Sequence, residues 1–419
     1  MLRTAIIAPR AVRGGTLAAM RSRAGLAACL CAAPAMLGAS PAAAQAPPSP
    51  APALTLSGPP LRAAGIAIPL GVSGAAPGAP IELQRLFAGP RWVTIKKAMA
   101  SADGSARLSY DPRTPRPRHN LRVASGGVAS APLTVRTRAI TLAAFGDANF
   151  GDGVATVMDA RGTLWPWRGV APVLRRADIA FGNLECAISQ RGFPVPKQYN
   201  FRGRPSRLAQ VVRFAGLDVL NLANNHAGDY GMLALLDTVR AVRRSGAQPV
   251  GAGATLGAAQ RPRVVTRLGL RVGFVGFSDI GPASFFAVPG RPGTSPASPA
   301  AIAAGVRAAR RVSDVVVATF HWGVERSRAE DARQRAFASA ALAAGAHAVI
   351  GAHPHVLQPI RRPRGRRIVA YSLGNFVWAA GSAQTTSTGI LRVRLSGRGV
   401  EGHRLLRARI ENTRPRLLR

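Results

Sequence analysis

The chain has 419 residues, of which 47% are hydrophobic and 18% are charged. This apolar content is enough for sizeable cores in two or three domains, and it excludes a mainly disordered protein. Beyond the N-terminus no run is both long and strongly apolar, which excludes a polytopic membrane protein. Lys and Arg number 56 against 18 Asp and Glu, a net charge of +38, and all but three of the 56 are Arg.

We attribute much of this Arg excess to GC-rich coding. Its functional interpretation is affinity for a polyanion, such as an acidic envelope polymer, phospholipid headgroups or nucleic acid. The basic residues are scattered and are not clustered with aromatic residues, so we expect no nucleic acid partner.

The first 44 residues predict a Sec-type signal peptide. Several arginines, the last of them Arg23, precede an uncharged Ala/Leu-rich stretch over Ala24–Gly38. Ala42-Ala43-Ala44 then fits the small-x-small cleavage rule, with Gln45 as the first mature residue. A lipobox-like run at 26–29 lies too close to Arg23 for us to expect lipidation, and an uncleaved anchor is the alternative. We therefore expect an extracytoplasmic, periplasmic or envelope-associated protein.

The mature chain divides into two folded parts. Residues 45–53 are rich in Pro, Ala and Ser and read as a linker. Over 54–138, seven short apolar alternations separated by Gly and Pro turns predict an all-β sandwich of immunoglobulin or fibronectin-III type. No cluster of reactive residues falls within it, so we interpret it as a spacer or a polymer-contacting module.

Strands and helices alternate over residues 139–412, which predicts a layered α/β domain, followed by a basic tail over 413–419. The predicted strands are Ile140–Gly146, Ile179–Asn183, Val219–Leu222, Val272–Phe277, Val315–Phe320, Ala348–Gly351 and Ile368–Leu373. The predicted helices include Met232–Arg244, Ala301–Arg311 and Asp331–Ala344.

Five of these strands end in a polar signature, and ligands of open α/β sheets bind at the carboxyl ends of strands. The signatures are Gly146-Asp147, Gly182-Asn183-Leu184-Glu185, Ala223-Asn224-Asn225-His226, His321-Trp322-Gly323 and Gly351-Ala352-His353-Pro354-His355. They contain four of the seven histidines of the chain. Taken singly, Asp147 could cap a strand and Asn225 could serve a turn. Their coincidence favours a shared site.

The residue types of these signatures suit a divalent metal. Carboxylate, carboxamide and imidazole groups without a thiolate favour Mn, Fe, Zn or Ni. His353 and His355 could reach two neighbouring ions from one loop, and Glu185 has two oxygens that could bridge them. Two ions about 3.5–4 Å apart activate a water molecule and clamp a phosphorus centre.

These motifs, together with Tyr-Ser-Leu-Gly-Asn-Phe at 371–376, resemble those of the CapA family over roughly residues 139–395. That family is linked to capsule and poly-γ-glutamate synthesis, and its fold is similar to that of calcineurin-like metallophosphoesterases. The resemblance implies a two-sheet sandwich flanked by helices, one or two divalent ions (Mn, Fe or Zn) and contact with the capsule-synthesis machinery. It does not cover the N-terminal sandwich.

The resemblance also implies roles for single residues. The implied metal ligands are Asp147, Glu185, Asn225, His321, His353 and His355. His226 would be the general acid that protonates the leaving group, or would hold the transition-state oxyanion. Asp229 and Tyr230 would orient it. Further second-shell or substrate-facing positions are Asn149, Asp152, Asn224 and Asn375.

Two departures from ordinary metallophosphoesterases predict an asymmetric centre. Asn149 stands where a histidine is usual, and Glu185 stands where an aspartate bridges the metals. One metal position would then have Glu185, Asn225, His321 and His353. The other would have Asp147, Glu185 and His355, with help from Asn149 or Asp152. We expect the second position to bind metal weakly.

Two classes of function follow. The first is an exported metal-dependent hydrolase of a phosphoester or of an envelope-polymer bond. The second is a non-catalytic factor for binding, assembly or export of an anionic polymer, in which the metal site is structural. His226 favours the enzyme, because a binding protein has little need for an imidazole beside a ligand.

Overall fold

The computed structural model describes residues 52–112 and 117–418. The predicted signal peptide and nearly all of the predicted linker lie outside the described residues. Within them, no helix has both the length and the apolar character needed to cross a bilayer.

Residues 55–138 form a unit built from β-strands. In its described part the strands are β1 (Thr55–Ser57), β2 (Leu61–Ala63), β3 (Ile68–Ser73), β4 (Pro80–Phe87), β5 (Arg91–Met99), β6 (Ala106–Tyr110), β7 (Arg118–Ser125), β8 (Val128–Ala129) and β9 (Leu133–Arg138). One sheet has the order β1-β3-β6, and the other has the order β2-β9-β7-β4-β5 with β8 beside β7. Their inward-facing side chains share one core, including Leu70, Leu83 and Val123. The unit is therefore a two-sheet sandwich, while its immunoglobulin or fibronectin-III type stays a prediction.

The rest of the described chain alternates strands and helices. The strands are β10 (Ile140–Ala148), β11 (Ile179–Leu184), β12 (Ala187–Ile188), β13 (Arg202–Gly203), β14 (Val219–Asn221), β15 (Gln248–Val250), β16 (Ala252–Gly253), β17 (Arg263–Arg267), β18 (Leu270–Ser278), β19 (Gly293–Thr294), β20 (Val315–His321), β21 (Ala348–Ala352), β22 (Ile360–Arg361), β23 (Ile368–Ala370), β24 (Asn375–Val377), β25 (Ser387–Ser396), β26 (Gly399–Glu411) and β27 (Arg414–Leu417). The helices are α1 (Asp152–Arg161), α2 (Ala171–Arg175), α3 (Pro205–Ala215), α4 (Gly231–Ser245), α5 (Leu256–Gln260), α6 (Pro299–Val312) and α7 (Ala332–Ala343).

Two large sheets pack face to face in this part. Sheet I has the order β15-β14-β11-β10-β25-β26-β27, with β24 beside β10, and sheet II has the order β17-β18-β20-β21-β23-β22. One apolar cluster joins their inner faces, with Leu142 and Phe181 from sheet I against Phe274 and Val317 from sheet II. A second cluster packs α1 to α4 on sheet I, and a third packs α6 and α7 on sheet II. The predicted layered α/β domain is confirmed, and its likeness to metallophosphoesterases stays a prediction.

The helices begin and end where local chemistry favours it. α3 starts with Pro205 at its first position and ends at Gly216, which adopts the left-handed conformation. Ser298 caps α6 through a bond from the Ala301 N–H. Asp331 and Gln334 form a reciprocal capping box on α7.

Two details concern the predicted domain limits. The limit after residue 138 falls between β9 and β10, but the sandwich also contacts the α/β part, since the Ala63 N–H donates to the Leu268 carbonyl at 2.9 Å. The prediction of a basic tail over 413–419 was wrong for Arg414–Leu417, because these residues pair with β26 as an edge strand. Basic and apolar residues alternate in this segment, and its charge alone does not distinguish such a strand from a solvated tail.

Candidate metal centre

The predicted ligands meet where the carboxyl ends of strands from both sheets converge. Asp147 lies near the end of β10, and Glu185 and Asn225 follow β11 and β14 in sheet I. His321 is the last residue of β20, and His353 and His355 follow β21 in sheet II. Apart from Asn225 and His355, which are partly exposed, all are buried.

A glycine allows the close approach that positions Asp147. A Cβ atom on Gly146 would lie 1.8 Å from the Gly374 carbonyl oxygen, which no side chain can tolerate. Because that space is free, the Asp147 N–H donates to the same oxygen at 2.9 Å, and β24 lies directly beside the end of β10. The Gly-Asp pair therefore fixes the carboxylate at the sheet edge.

The ligands form two triads that share Glu185. One consists of Glu185, His353 and His355, and the other of Asp147, Glu185 and His321; within each, one ligand atom per residue lies within 4.8 Å of the others. Glu185 belongs to both triads. The His353 ring centroid lies 4.7 Å from that of His321 and 5.8 Å from that of His355. The expected division of the histidines between two metal positions therefore stays a prediction.

Ligand-atom distances around His321 suit coordination of one ion. Its Nε2 lies 2.8 Å from Asn225 Oδ1 and 3.4 Å from Glu185 Oε1. Two atoms that each lie about 2.1 Å from one metal ion are about 3.0–3.4 Å apart. The Nε2–Oε1 separation therefore fits two ligands of one ion, whereas the shorter Nε2–Oδ1 contact is a hydrogen bond that a bound ion would replace.

Unpartnered buried atoms show that the residues fit a metal ion. Glu185 Oε1 and His353 Nδ1 are both buried and have no hydrogen-bond partner among the described residues. Such groups are costly to bury, and a cation would satisfy both. Burial, and next the charge of Asp147, raise the pKa of Glu185 well above its usual value. Two adjacent buried carboxylates thus favour a bound positive charge.

Burial and neighbouring charges shift the pKa values of His321, His353 and His355 in different directions. Burial, followed by the charge of neighbouring histidines, lowers the pKa of His321 well below its usual value and that of His353 to about 3. Neutral imidazoles are the form that ligates metals. Although burial lowers the pKa of His355, the hydrogen bond and charge of Asp147 raise it overall.

His355 Nδ1 lies 2.9 Å from Asn375 Oδ1 and 3.3 Å from Asp147 Oδ2, which turns Nε2 toward Glu185 at 3.9 Å.

The loop after β21 carries backbone strain at both ligands. His353 has φ +101° and His355 has φ +59°, a region that non-glycine residues rarely adopt. The His353 N–H donates to Asp147 Oδ2 at 3.3 Å. Strain of this kind persists at functional sites, where the surroundings determine the conformation.

His226 stands at the edge of the cluster with a fixed orientation. Its Nδ1 lies 2.7 Å from Asp229 Oδ2, and its Nε2 lies 4.0 Å from Glu185 Oε1. Burial lowers the pKa of His226, while the Asp229 bond opposes this effect. Because a carboxylate only accepts hydrogen bonds, the 2.7 Å contact directs the Nδ1 proton toward Asp229, while Lys197 Nζ lies 3.2 Å from the same nitrogen.

Lys197 is a site residue that the sequence analysis missed. Its Nζ donates to Asp229 Oδ1 at 2.6 Å and to the Asn225 carbonyl at 2.7 Å. The Asp229 side chain is fully buried, and that of Lys197 is 18% exposed. Lysine is scarce in this Arg-rich chain, which made Lys197 unusual in the sequence. Its position in an irregular loop gave no prediction of a role.

Asn183 is a second site residue for which the sequence motif predicts no role. Its Oδ1 accepts hydrogen bonds from the side chains of Asn221 at 2.9 Å and Asn224 at 3.3 Å. This arrangement turns its Nδ2 toward Asp147 Oδ1 at 2.8 Å. Asn183 therefore holds a carboxylate ligand from behind, as ligand-orienting residues do.

The predicted second-shell residues have different placements. Asn224 accepts the His226 N–H at 3.1 Å, and Asn375 contacts His355. Asn149 is buried, but its Oδ1 accepts the Gly151 N–H at 2.7 Å and so serves the turn before α1. Asp152 is exposed, and the Tyr230 ring packs under the Arg202 guanidinium at 3.5 Å. The roles expected for these two residues stay predictions.

Aromatic side chains form one wall of the cluster. The Phe201 ring centroid lies 4.4 Å from that of His226 and 5.3 Å from that of Trp378. Trp378 in turn lies 4.8 Å from His355. This wall keeps water from one side and leaves Nε2 of His226 facing the carboxylates. A polar site of this kind can bind a divalent cation and exchange a proton beside it.

Comparison with known proteins gives matches over this part of the chain. The sequence model of the bacterial capsule synthesis protein PGA_cap matches residues 141–380, a range that contains every predicted ligand and His226. The PGA biosynthesis protein CapA of Bacillus subtilis (strain 168) is 32% identical over 263 residues, 61% of this chain and 67% of that protein. The capsule biosynthesis protein CapA of Bacillus anthracis is 31% identical over 279 residues, 65% and 68% of the two chains.

A third relative is a probable polyglutamine synthesis accessory protein of Mycobacterium tuberculosis. It is 35% identical over 227 residues, which are 51% of this chain and 59% of that protein.

Proposed function

Because this chain belongs to the PGA_cap family of bacterial capsule synthesis proteins, matched over residues 141–380, we propose that it is an exported metal-dependent hydrolase. It would cut a phosphoester or a bond of an anionic envelope polymer, in the service of capsule or polyglutamate synthesis. The N-terminal Arg-rich and Ala/Leu-rich segments support export. The names of the relatives support the link to polymer synthesis.

One observation carries the proposal: a metal-ligand cluster lies beside an oriented imidazole. Asp147 and Glu185 with three histidines fit one or two divalent ions, with Asn225 as a further ligand. A divalent ion supplies Lewis acidity, which activates water and stabilises developing negative charge. A site that only needed structural metal would close its coordination shell without a proton-exchanging neighbour.

His226 would move the proton in this reaction. Its Nδ1–H is held by Asp229 at 2.7 Å, so Nε2 is directed toward Glu185 and the ligand cluster. Nε2 would take up a proton from the attacking water molecule and release it to the leaving oxygen or nitrogen of the substrate. Lys197 and Asp229 keep the ring in this orientation, and the Phe201 ring limits its rotation.

The second candidate function is a non-catalytic factor that binds or anchors the polymer. The large excess of Arg supports it, since a basic surface attracts a polyanion without any chemistry. A non-catalytic function gives no role to the Nε2 atom of His226. The two candidates therefore differ in one variant, His226→Gln, which should abolish hydrolysis but leave polymer binding unchanged.

The test begins with metal content. The purified protein is reloaded with Mn, Fe or Zn and its bound metal is measured by mass spectrometry, in parallel with Glu185→Gln and His353→Ala. We expect one or two equivalents in the wild type and loss of at least one in each variant. Loaded protein is then screened against bis(p-nitrophenyl) phosphate and γ-glutamyl polymers.

His226→Gln is the matched control for this screen. It should keep the metal content of the wild type and lose at least about 100-fold in hydrolysis rate. Absence of metal under every loading condition would overturn the metal-dependent mechanism. Hydrolysis that survives His226→Gln unchanged would overturn the role of His226.

A further inference from the structure

A groove lined by arginines lies on the outer face of sheet I, away from the candidate metal centre. It has a volume of about 270 Å³ and is lined by Thr141, Arg392, Arg394, Gly402, His403 and Arg404. We call these six residues the arginine groove. Leu391 and Val393, which alternate with its arginines on β25, point into the core between the sheets. Arg392 and Arg394 therefore face outward.

Strand register brings like charges together in the groove. Arg392 on β25 pairs directly with Arg404 on β26, and Arg394 pairs with Gly402. Side chains at directly opposed positions have Cβ atoms about 4.5–5.5 Å apart, and like charges there destabilise the sheet. Glycine opposite Arg394 leaves room beside its guanidinium. The pairing of β25 with β26 therefore forms an open basic groove. Repulsion between Arg392 and Arg404 lowers the stability of the sheet.

The three arginines have no acidic partner within the described residues. A minority of the arginines elsewhere are paired, for example Arg271 with Asp314 at 2.8 Å and Arg333 with Asp279 at 2.6 Å. The acid nearest in sequence, Glu401, is occupied by Arg366 and by the Ser396 hydroxyl. The charges of the groove are thus left free for a ligand from outside the chain.

We propose that the arginine groove binds an anionic polymer that carries repeating carboxylates. The ligand class rests on the proposed function, whereas the existence of an anion site rests on the groove itself. Arg392 and Arg394 repeat along β25 at about 7 Å, and each guanidinium can donate two hydrogen bonds to one carboxylate. No Phe, Tyr or Trp lines the groove, so it lacks the large aromatic rings on which nucleic acid bases commonly stack.

The groove would hold the polymer at a distance from the chemistry. Thr141 and Asp147 both belong to β10, and six residues of strand separate them by about 20 Å. A polymer chain held at the groove would therefore raise the local concentration of its more distant segments at the cleft. The groove should matter for long chains and not for small substrates.

The experiment measures binding of fluorescently labelled poly-L-glutamate to the full protein by anisotropy, at 0.05–0.3 M NaCl. The groove variant replaces Arg392, Arg394 and Arg404 with Gln. A control variant replaces Arg213, Arg307 and Arg311, which are exposed on α3 and α6, with Gln. Both lose three positive charges. Double-stranded DNA of similar charge is the competing polyanion.

We expect the groove variant to lose at least tenfold in poly-L-glutamate affinity at 0.15 M salt, and the control less than twofold. Equal losses in the two variants would overturn the site, because they would indicate diffuse attraction only. An equal loss for DNA and for poly-L-glutamate would overturn the carboxylate class. No binding by the wild type would overturn both. Metal content and hydrolysis of bis(p-nitrophenyl) phosphate are measured alongside, so a failure of the hydrolase function is seen separately.

Discussion

At the scale of single residues, the candidate centre depends on carboxylates and imidazoles that are buried without full hydrogen bonding. Glu185 Oε1 and His353 Nδ1 lack partners among the described residues, although their neighbours Asn183 and Asn224 are fully engaged. A buried polar network in which particular atoms lack hydrogen-bond partners is typical of a ligand site. These two atoms are the ones that would contact the metal ion.

Asn149 tests the expected asymmetry of the centre. Replacement by His would add an imidazole two residues beyond Asp147, at the cost of the bond to the Gly151 N–H. We expect the second equivalent of Mn to bind about tenfold more tightly, which is about 1.4 kcal/mol. Isothermal titration calorimetry measures this, with Asn149→Gln as the control. Unchanged affinity in Asn149→His would contradict the assignment of this position.

Lys197 offers a comparison of a buried and an exposed ion pair. Lys197→Met would leave the Asp229 carboxylate buried and without its ammonium partner, and we expect the free energy of unfolding to fall by about 3 kcal/mol. Lys97 forms a 3.0 Å pair with Glu82 on the exposed face of the sandwich, and Lys97→Met should have no measurable effect. Urea unfolding measures both. Similar values for the two variants would show that Asp229 does not need Lys197.

At the scale of elements, most ligands follow or end strands while the residues that support them come from irregular loops. β20 and β21 are parallel neighbours whose carboxyl ends present His321 and the histidine loop together. The loop between β12 and β13 carries Lys197, and β24 carries Asn375. Strands fix the ligands in register, and loops then close around them.

The β20–β21 pair also contains a pH-sensitive contact far from the ligands. His347 Nδ1 accepts the Val316 N–H at 3.1 Å, and burial followed by Arg310 and Arg367 lowers the pKa of His347 to about 4. The unfolded chain has the usual value of about 6.5, so it binds the proton first as pH falls. The contribution to stability is therefore complete above pH 6.5 and is lost progressively toward pH 4.

We expect the free energy of unfolding to fall by about 2 kcal/mol between pH 7 and pH 5 because of His347. In His347→Asn this part of the decrease should be absent, although the variant is less stable at pH 7. Chemical denaturation at both pH values gives the difference. A decrease of the same size in wild type and variant would assign the pH effect to other groups.

At the scale of the whole molecule, the centre links two sheets whose inner faces pack through apolar side chains. Its ligands come from five strand ends, so a bound metal would stabilise the folded state relative to the unfolded chain. Ligand at 100 times its dissociation constant adds about 2.7 kcal/mol. We expect EDTA to lower the midpoint of thermal unfolding by roughly 5 °C.

The control for this effect is His353→Ala, whose midpoint should not respond to EDTA. Differential scanning fluorimetry with Mn-loaded and stripped protein measures both. A midpoint of the wild type that is the same with and without EDTA would contradict a metal link between the sheets.

Hydrophobic periodicity predicted the alternation of strands and helices, and the polar strand ends predicted which residues meet at the candidate centre. Apolar runs of strand length alternate with helical periods, and each run ends in a polar signature whose position depends on local chemistry alone. Asp147, Glu185 and His353 were therefore identified before any contact was known. The edge strand β27 was missed, because its Arg-rich alternation is indistinguishable from a solvated tail without its partner strand.

The contacts of Lys197, the arginine groove and the mutual approach of the ligands depend on the folded chain. The left-handed backbone at His353 and His355 directs both rings toward Glu185, and no local pattern encodes that conformation. The register of β25 on β26 places Arg392 opposite Arg404. Such pairings depend on contacts between distant segments, which hydrophobic periodicity does not specify.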